Sequence, residues 1–172
     1  MSFEIIDNGI QVGLFLLFAL FSLIQGLHMQ NRRFLMLAGT YASFSMGTLY
    51  YLLYLVIMGK VPQVFYVSEM AWMASYLFLL ALCLMETRRY RGKLDVWVLR
   101  LTIVEAAMVI GWKILGPSYP FTIVFAVVTA CIFYYALLGY RMEKRMLMLA
   151  MVLVIVWQLL LYIVSVFTTV YT

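Results

Sequence analysis

Charged residues are gathered in clusters along this chain, and long apolar stretches separate the clusters. Four runs contain no Asp, Glu, Lys or Arg at all: 8–31, 34–59, 114–140 and 146–172. Each exceeds the roughly 20 residues needed to cross the hydrocarbon core of a bilayer. A fifth stretch, Glu69–Lys93, opens on a carboxylate and closes on an arginine-rich cluster, with Met70–Met85 uncharged between them. A sixth, from Val96 to Leu115, is apolar apart from Arg100, Glu105 and Lys113. No soluble surface helix is written like Glu69–Lys93, with sixteen uncharged residues in a row.

The pattern predicts an all-α, polytopic integral membrane protein, a six-transmembrane-helix bundle. Its spans lie at about 10–27, 34–58, 65–85, 96–115, 121–138 and 146–167, and residues 1–172 form a single membrane domain. Gly59-Lys60-Val61-Pro62 closes the second span by ordinary Gly/Pro turn chemistry. Gly116-Pro117-Ser118-Tyr119-Pro120 makes spans 4 and 5 an antiparallel hairpin. After Gly139, the loop from Arg141 to Arg145 leads into span 6. Within span 2, Gly39, Ser43 and Gly47 are spaced by four. Small residues at that spacing let a neighbouring helix approach closely, so they are predicted to serve helix packing.

Composition agrees: 67% of the 172 residues are hydrophobic and 11% are charged, against about 25% charged in a soluble domain. The net charge of +5 does not point to nucleic acid, because the basic residues sit in short loops. Arg32, Arg33, Arg88, Arg89, Arg91, Lys93, Arg100, Arg141, Lys144 and Arg145 fall on one side of the predicted topology, and only Lys60 and Lys113 on the other. The positive-inside rule then places the three basic loops in the cytoplasm and both termini outside, in a cell (inner or plasma) membrane. The acidic N-terminus lacks the basic n-region of a signal peptide, so the first helix is expected to be retained. Tyr and Trp near span ends suit the interfacial belts.

Ionisable groups at membrane depth are costly and point to function. Glu69 lies about a turn inside span 3, with Trp72, Met73 and Tyr76 on the same helical face. Glu105 lies nine residues into span 4, roughly 13 Å along the axis, and shares a face with Thr102, Met108 and Trp112. Facing one another, the two helices would line a polar pocket open to the outer side. In it the carboxylates supply polarity or proton linkage and the aromatics the walls, with Gln158, Tyr162, Tyr50, Tyr51 and Tyr54 within reach. Plainer readings compete: Glu69 as an interfacial group pairing with Lys60, Glu105 as a helix-packing partner of Lys113 or a Tyr. Arg88–Lys93 reads as a topology determinant that attracts anionic headgroups. His28 reads as an interfacial group, and Cys83 and Cys131 as packing residues without a Cys-x-x-Cys pair.

Enzyme chemistry finds no constellation here. There is no His-Glu-x-x-His, the single His cannot ligate haem from both sides, and no Gly-x-Ser-x-Gly occurs. The expectation is a non-enzymatic module with no metal and no cofactor. Its surroundings are the lipid bilayer and a membrane or cytoplasmic partner protein or a second copy of itself.

Residues GTLYYLLYLVIMGK and FYVSEMAWMASYLFLLALCL, in spans 2 and 3, resemble the multi-spanning membrane sensor regions that precede diguanylate cyclase and histidine kinase domains in bacteria. Those regions show an acidic residue, a Trp and a Tyr on one face of a span, as Glu69, Trp72 and Tyr76 do. The resemblance implies perception of a small or lipophilic signal within the bilayer. It also implies an output domain after the last span, whereas this chain is read as a free-standing module that signals through a partner at its cytoplasmic loops. The alternative expectation is the substrate-binding membrane component of a small-molecule transporter.

Overall fold

A computed structural model describes residues 3–59, 66–90, 92–113 and 119–167; within these, the side chains of residues 3, 66, 112, 113, 119, 120 and 162–167 are not described. The described residues are almost all helical, with no strand: α1 (Phe3–His28), α2 (Arg32–Met58), α3 (Tyr66–Glu86), α4 (Val96–Lys113), α5 (Tyr119–Glu143) and α6 (Met146–Phe167), plus a 3-10 turn at Arg88–Tyr90. Four of them, α1, α2, α3 and α5, are long and apolar enough to cross a membrane. The eighteen residues of α4 carry three charges, and the described apolar part of α6 is Met146–Leu161. The chain divides into two compact units, Met1–Leu82 and Cys83–Thr172.

In the first unit, α1 and α2 form an antiparallel hairpin over their whole length. At one end a Cβ on Gly26 would lie 2.7 Å from Leu35 Cδ2. Along the middle, Phe15 meets Tyr41 and Phe44 at ring-centroid distances of 6.0 and 4.6 Å, and Ser45 Oγ donates to the Val12 carbonyl at 3.1 Å. At the other end the Tyr51 hydroxyl donates to Glu4. The hairpin turns through Gln30, at φ 48°, into Asn31, whose side chain accepts from Arg33 N at 3.0 Å and caps α2.

The start of α1 departs from expectation by a full two turns. Glu4, Asp7, Asn8 and Gln11 recur at helical spacing and bond along the helix: Asn8 Nδ2 to the Glu4 carbonyl and Gln11 Nε2 to Asp7 Oδ2, both 2.8 Å. A reading by hydropathy alone begins the helix at the first apolar residue and misses this polar first section.

On the other side of α2, α3 runs antiparallel and in close approach. A Cβ on Gly39 would sit 2.8 Å from the Phe78 ring, and one on Gly47 would sit 2.7 Å from Trp72 Cδ1 and 3.0 Å from the Ser68 carbonyl oxygen. The missing side chains are what admit the neighbouring helix. α2 ends at Gly59, which adopts a left-handed φ of 65° and returns its N–H to the Leu55 carbonyl at 3.0 Å. The rest of that turn (60–65), the turn at 116–118 and the chain after Phe167 lie outside the described residues.

In the second unit, α5 packs against both α4 and α6. Its buried residues, from Thr122 through Leu138, cover about half of the helix, with Ile123, Val124 and Val127 exposed on the other face. Gly139 does not end α5, as the sequence suggested. The helix continues through Arg141 and Met142 to Glu143 and turns at Lys144, where φ is 56°. A Cβ on Gly139 would lie 2.9 Å from Thr87 Cγ2 and 3.0 Å from Met148 Sδ. This glycine is therefore a packing residue, not a helix stop.

Only narrow stripes of α4 and α6 are covered. On α4 these are Val98, Thr102, Glu105 and Val109; on α6 they are Met148, Met151 and Ile155. Met108, expected to share the Glu105 face, is exposed, because the buried stripe advances by i+4 to Val109 instead. The outward residues are apolar: Ile103 and Val104 on α4, Leu153 and Trp157 on α6, and Leu17, Phe21 and Ile24, each at least 60% exposed, on α1. An apolar exterior of this extent around helices whose covered stripes include Ser, Thr and Glu suits hydrocarbon and not water as the surrounding phase.

Gly47→Leu is expected to destabilise the protein by about 1–3 kcal/mol through forced separation of α2 and α3. Gly13→Ala, where nothing lies within 4 Å, is expected to stabilise by about 0.5–1 kcal/mol through helix propensity. Thermal or SDS unfolding of the two variants in mild detergent measures the difference; equal effects would remove the close-approach role of Gly47.

Candidate functional site: a buried carboxyl and a charged knot in the second unit

Of the residues singled out from the sequence, Glu69, Trp72 and Tyr76 belong to the first unit and Glu105 and Trp112 to the second. Glu69 is half-buried in the first turn of α3. Trp72, one turn on, lies over Gly47, points its Nε1 at Thr48 Oγ1 (3.4 Å) and has its ring 6.4 Å from Phe44. Tyr76 is buried, as is Met73 beside it. Trp72 is thus engaged in α2–α3 packing. Ser43 sits half-buried between Gly39 and Gly47 on α2. Trp112 lies in the last turn of α4, and its side chain is outside the described residues, as is that of Tyr162.

Glu105 is 6% exposed, and neither carboxyl oxygen has a hydrogen-bond partner. Its surroundings are set by two helices. On α4, Thr102 lies one turn earlier, but its hydroxyl donates to the Val98 carbonyl at 2.9 Å. On α5, Thr129 lies beside the carboxyl, and its hydroxyl hydrogen is directed to the Phe125 and Ala126 carbonyls at 3.0 and 3.2 Å. Each threonine hydroxyl has one hydrogen to give, and carbonyls of its own helix compete for it. The carboxyl therefore has only the shared Thr129 hydroxyl to turn to between these two threonines, and no cation pairs with it among the described residues. No charged residue occurs in α6, and those of α5, Arg141 and Glu143, stand at its far end, about 18 Å along the axis from Thr129. A buried acceptor left without a donor costs about 1–3 kcal/mol. The arrangement accepts a hydrogen bond or a positive charge from something other than its neighbours.

A second polar centre was not foreseen. Arg145 reaches Glu86 Oε2 at 2.7 Å, at the end of α3, and also pairs with Glu143. Glu143 in turn accepts from the Tyr90 hydroxyl. Arg141 pairs with Asp95 at 2.7 Å, while Asp95 Oδ1 accepts from Trp97 N (3.0 Å) and Val98 N (3.3 Å), capping α4. The Tyr134 hydroxyl donates to the Lys93 carbonyl at 3.0 Å, and Thr87 Oγ1 donates to the Cys83 carbonyl at 2.7 Å. The result ties the α3–α4 connection to the end of α5. Its one sequence signal was Asp95 immediately before an apolar helical run, a recognisable N-cap. The cross-chain pairings had none.

The remaining candidates are plain. Cys83 is fully buried, with its thiol 3.7 Å from the Ile132 carbonyl oxygen, and Cys131 is half-buried. His28 is exposed at the end of α1. No group of three or more His, Cys, Asp or Glu that could hold a metal occurs among the described residues. Comparison with protein-family models, curated proteins and solved structures gives no match.

The hydrogen bond to Glu143 and the charge of that carboxylate raise the Tyr90 hydroxyl above its usual value near 10. A raised value means that the bond is fully present below pH 10 and is lost as pH rises through the raised pKa. Glu143→Gln is expected to bring Tyr90 ionisation back down toward 10. The test is the tyrosinate absorbance titration, taken as a difference against Tyr90→Phe; an unchanged titration would separate Tyr90 from Glu143.

Proposed function

We propose that the protein is a non-enzymatic six-span membrane module of sensor type, which binds a lipophilic molecule bearing an amine or similar hydrogen-bond donor at Glu105. The observation that carries this reading is the Glu105 carboxyl, buried between α4 and α5 with no ion-pair partner among the described residues. Helix packing alone does not call for it: an apolar residue of the same size would fill the space without the cost of an unmet acceptor. The apolar exterior supports a ligand that arrives through the bilayer, and an amine at its polar end supplies the positive charge that Thr102 and Thr129 do not. The acidic–Trp–Tyr pattern at Glu69, Trp72 and Tyr76 supports the sensor class through its resemblance to bacterial sensor regions. The distribution of Lys and Arg supports six spans with the basic loops in the cytoplasm and both termini outside.

Purified protein in nanodiscs, titrated with lipophilic amines and with hydrocarbons of equal size, tests the site by thermal shift. Amines are expected to stabilise the wild type and hydrocarbons not to. Glu105→Leu is expected to raise the unliganded stability by about 1–3 kcal/mol and to abolish the amine effect. A Glu105→Leu variant that is less stable than wild type, with amine binding absent in both, would make Glu105 a structural residue. Amine flux into sealed proteoliposomes would move the protein to the transport class. For topology, a maleimide applied from outside to intact cells is expected to label Ser118→Cys and to spare Arg89→Cys, which is exposed in the α3–α4 connection and is expected to label once the cells are permeabilised; the reverse pattern would invert the orientation.

A further inference from the structure

The chain's net charge is unevenly placed. The first unit is balanced, with Arg32, Arg33 and Lys60 against Glu4, Asp7 and Glu69, so the whole excess of +5 belongs to the second unit. Within that unit most of the basic residues lie in the α3–α4 connection, the first turn of α4 and the α5–α6 turn. The three acids of this end, Glu86, Asp95 and Glu143, are all engaged by Arg141, Arg145 and Tyr90, and Arg89 lies close enough to Glu143 to feel its charge. Among the described residues, Arg88, Lys93 and Lys144 form no ion pair. Lys93 and Lys144 rest over the rings of Tyr90 and Tyr140, at 5.6 and 5.2 Å, and all three basic residues are exposed.

Two further features shape this surface. The same knot that consumes the acids holds the connection in place, so Arg88 and Lys93 are presented from a fixed backbone and little ordering entropy remains to be lost on binding. Beside Lys93, Leu94 is 81% exposed and Trp97 is 64% exposed, with Arg100 over the Trp97 ring at 5.3 Å. Uncompensated positive charge flanked by outward Leu and Trp is the complement of a bilayer interface, where anionic phosphates lie above acyl chains.

We infer that the α3–α4 connection and the adjoining α5–α6 turn form a binding surface for the headgroups of anionic phospholipids, with Arg88, Lys93 and Lys144 contacting phosphate and Leu94 and Trp97 entering the acyl boundary. The inference rests on the membrane reading above but not on the Glu105 site. Occupancy of this surface holds α4 and α5 at the interface from one end, so lipid composition sets their depth.

Native mass spectrometry of protein released from nanodiscs of mixed phosphatidylglycerol and phosphatidylcholine tests it. Wild type is expected to retain phosphatidylglycerol preferentially, and the preference is expected to weaken with added salt. A basic residue near an anionic surface is worth about fivefold, so Arg88→Gln combined with Lys93→Gln is expected to lower the preference about 25-fold. Arg88→Lys is expected to keep it. Folding of the double variant is checked by its unfolding midpoint, which is expected to stay at the wild-type value because neither side chain is in an ion pair. Equal retention of the two lipids, or a double variant with unaltered preference, would overturn the inference and leave the membrane reading intact. Displacement of the lipid by soluble glycerol phosphate at equal concentration would overturn the lipid source. Failure of the protein to enter nanodiscs would overturn both the inference and the membrane reading.

Discussion

Backbone and side-chain polar groups in a hydrocarbon phase have no water to turn to, and this constraint organises the molecule. It explains why the described chain is almost all helical and why its threonines behave alike. Thr40, Thr48, Thr87, Thr102 and Thr129 each give their hydroxyl hydrogen to a carbonyl three or four residues back. It also explains why Glu86, Asp95 and Glu143 gather at one end of the second unit, where arginines pair with them. Against that background Glu105 is the exception. Thr102 and Thr129 beside it are satisfied by carbonyls of their own helices, and its carboxyl has no ion-pair partner among the described residues.

Helix number and position were largely legible in the sequence, because apolar runs bounded by charge clusters leave few alternatives. The boundaries that shifted did so for identifiable reasons. The first turns of α1 are polar and were invisible to hydropathy, although Glu4, Asp7, Asn8 and Gln11 carry a helical spacing. Gly139 was read through its usual role as a terminator, when tertiary packing against Thr87 and Met148 was what required it.

The site was legible only in part. Glu105 stood out because a carboxylate at that depth has few excuses, and its burial fits that signal. The partners of its face did not follow from sequence: i+3 counting selected Met108, whereas the packed stripe selects Val109. Trp72, grouped with Glu69 as a ligand-facing residue, is engaged with Gly47 and Thr48. The pairs Glu86–Arg145, Tyr90–Glu143 and Asp95–Arg141 join residues 46 to 59 positions apart, and no local pattern encodes a choice among so many arginines.

Asp95 performs two tasks with one carboxylate: it caps α4 and holds Arg141 of α5. The cap fixes where the first turn of α4 begins, and the ion pair fixes that turn's azimuth about the helix axis relative to α5. A helix held in rotation at its start carries that rotation to its later side chains, and Glu105 is ten residues downstream. An aqueous contact about 15 Å away therefore acts on the same rotation as the buried stripe of Val98, Thr102 and Val109, and both bear on where the carboxyl points.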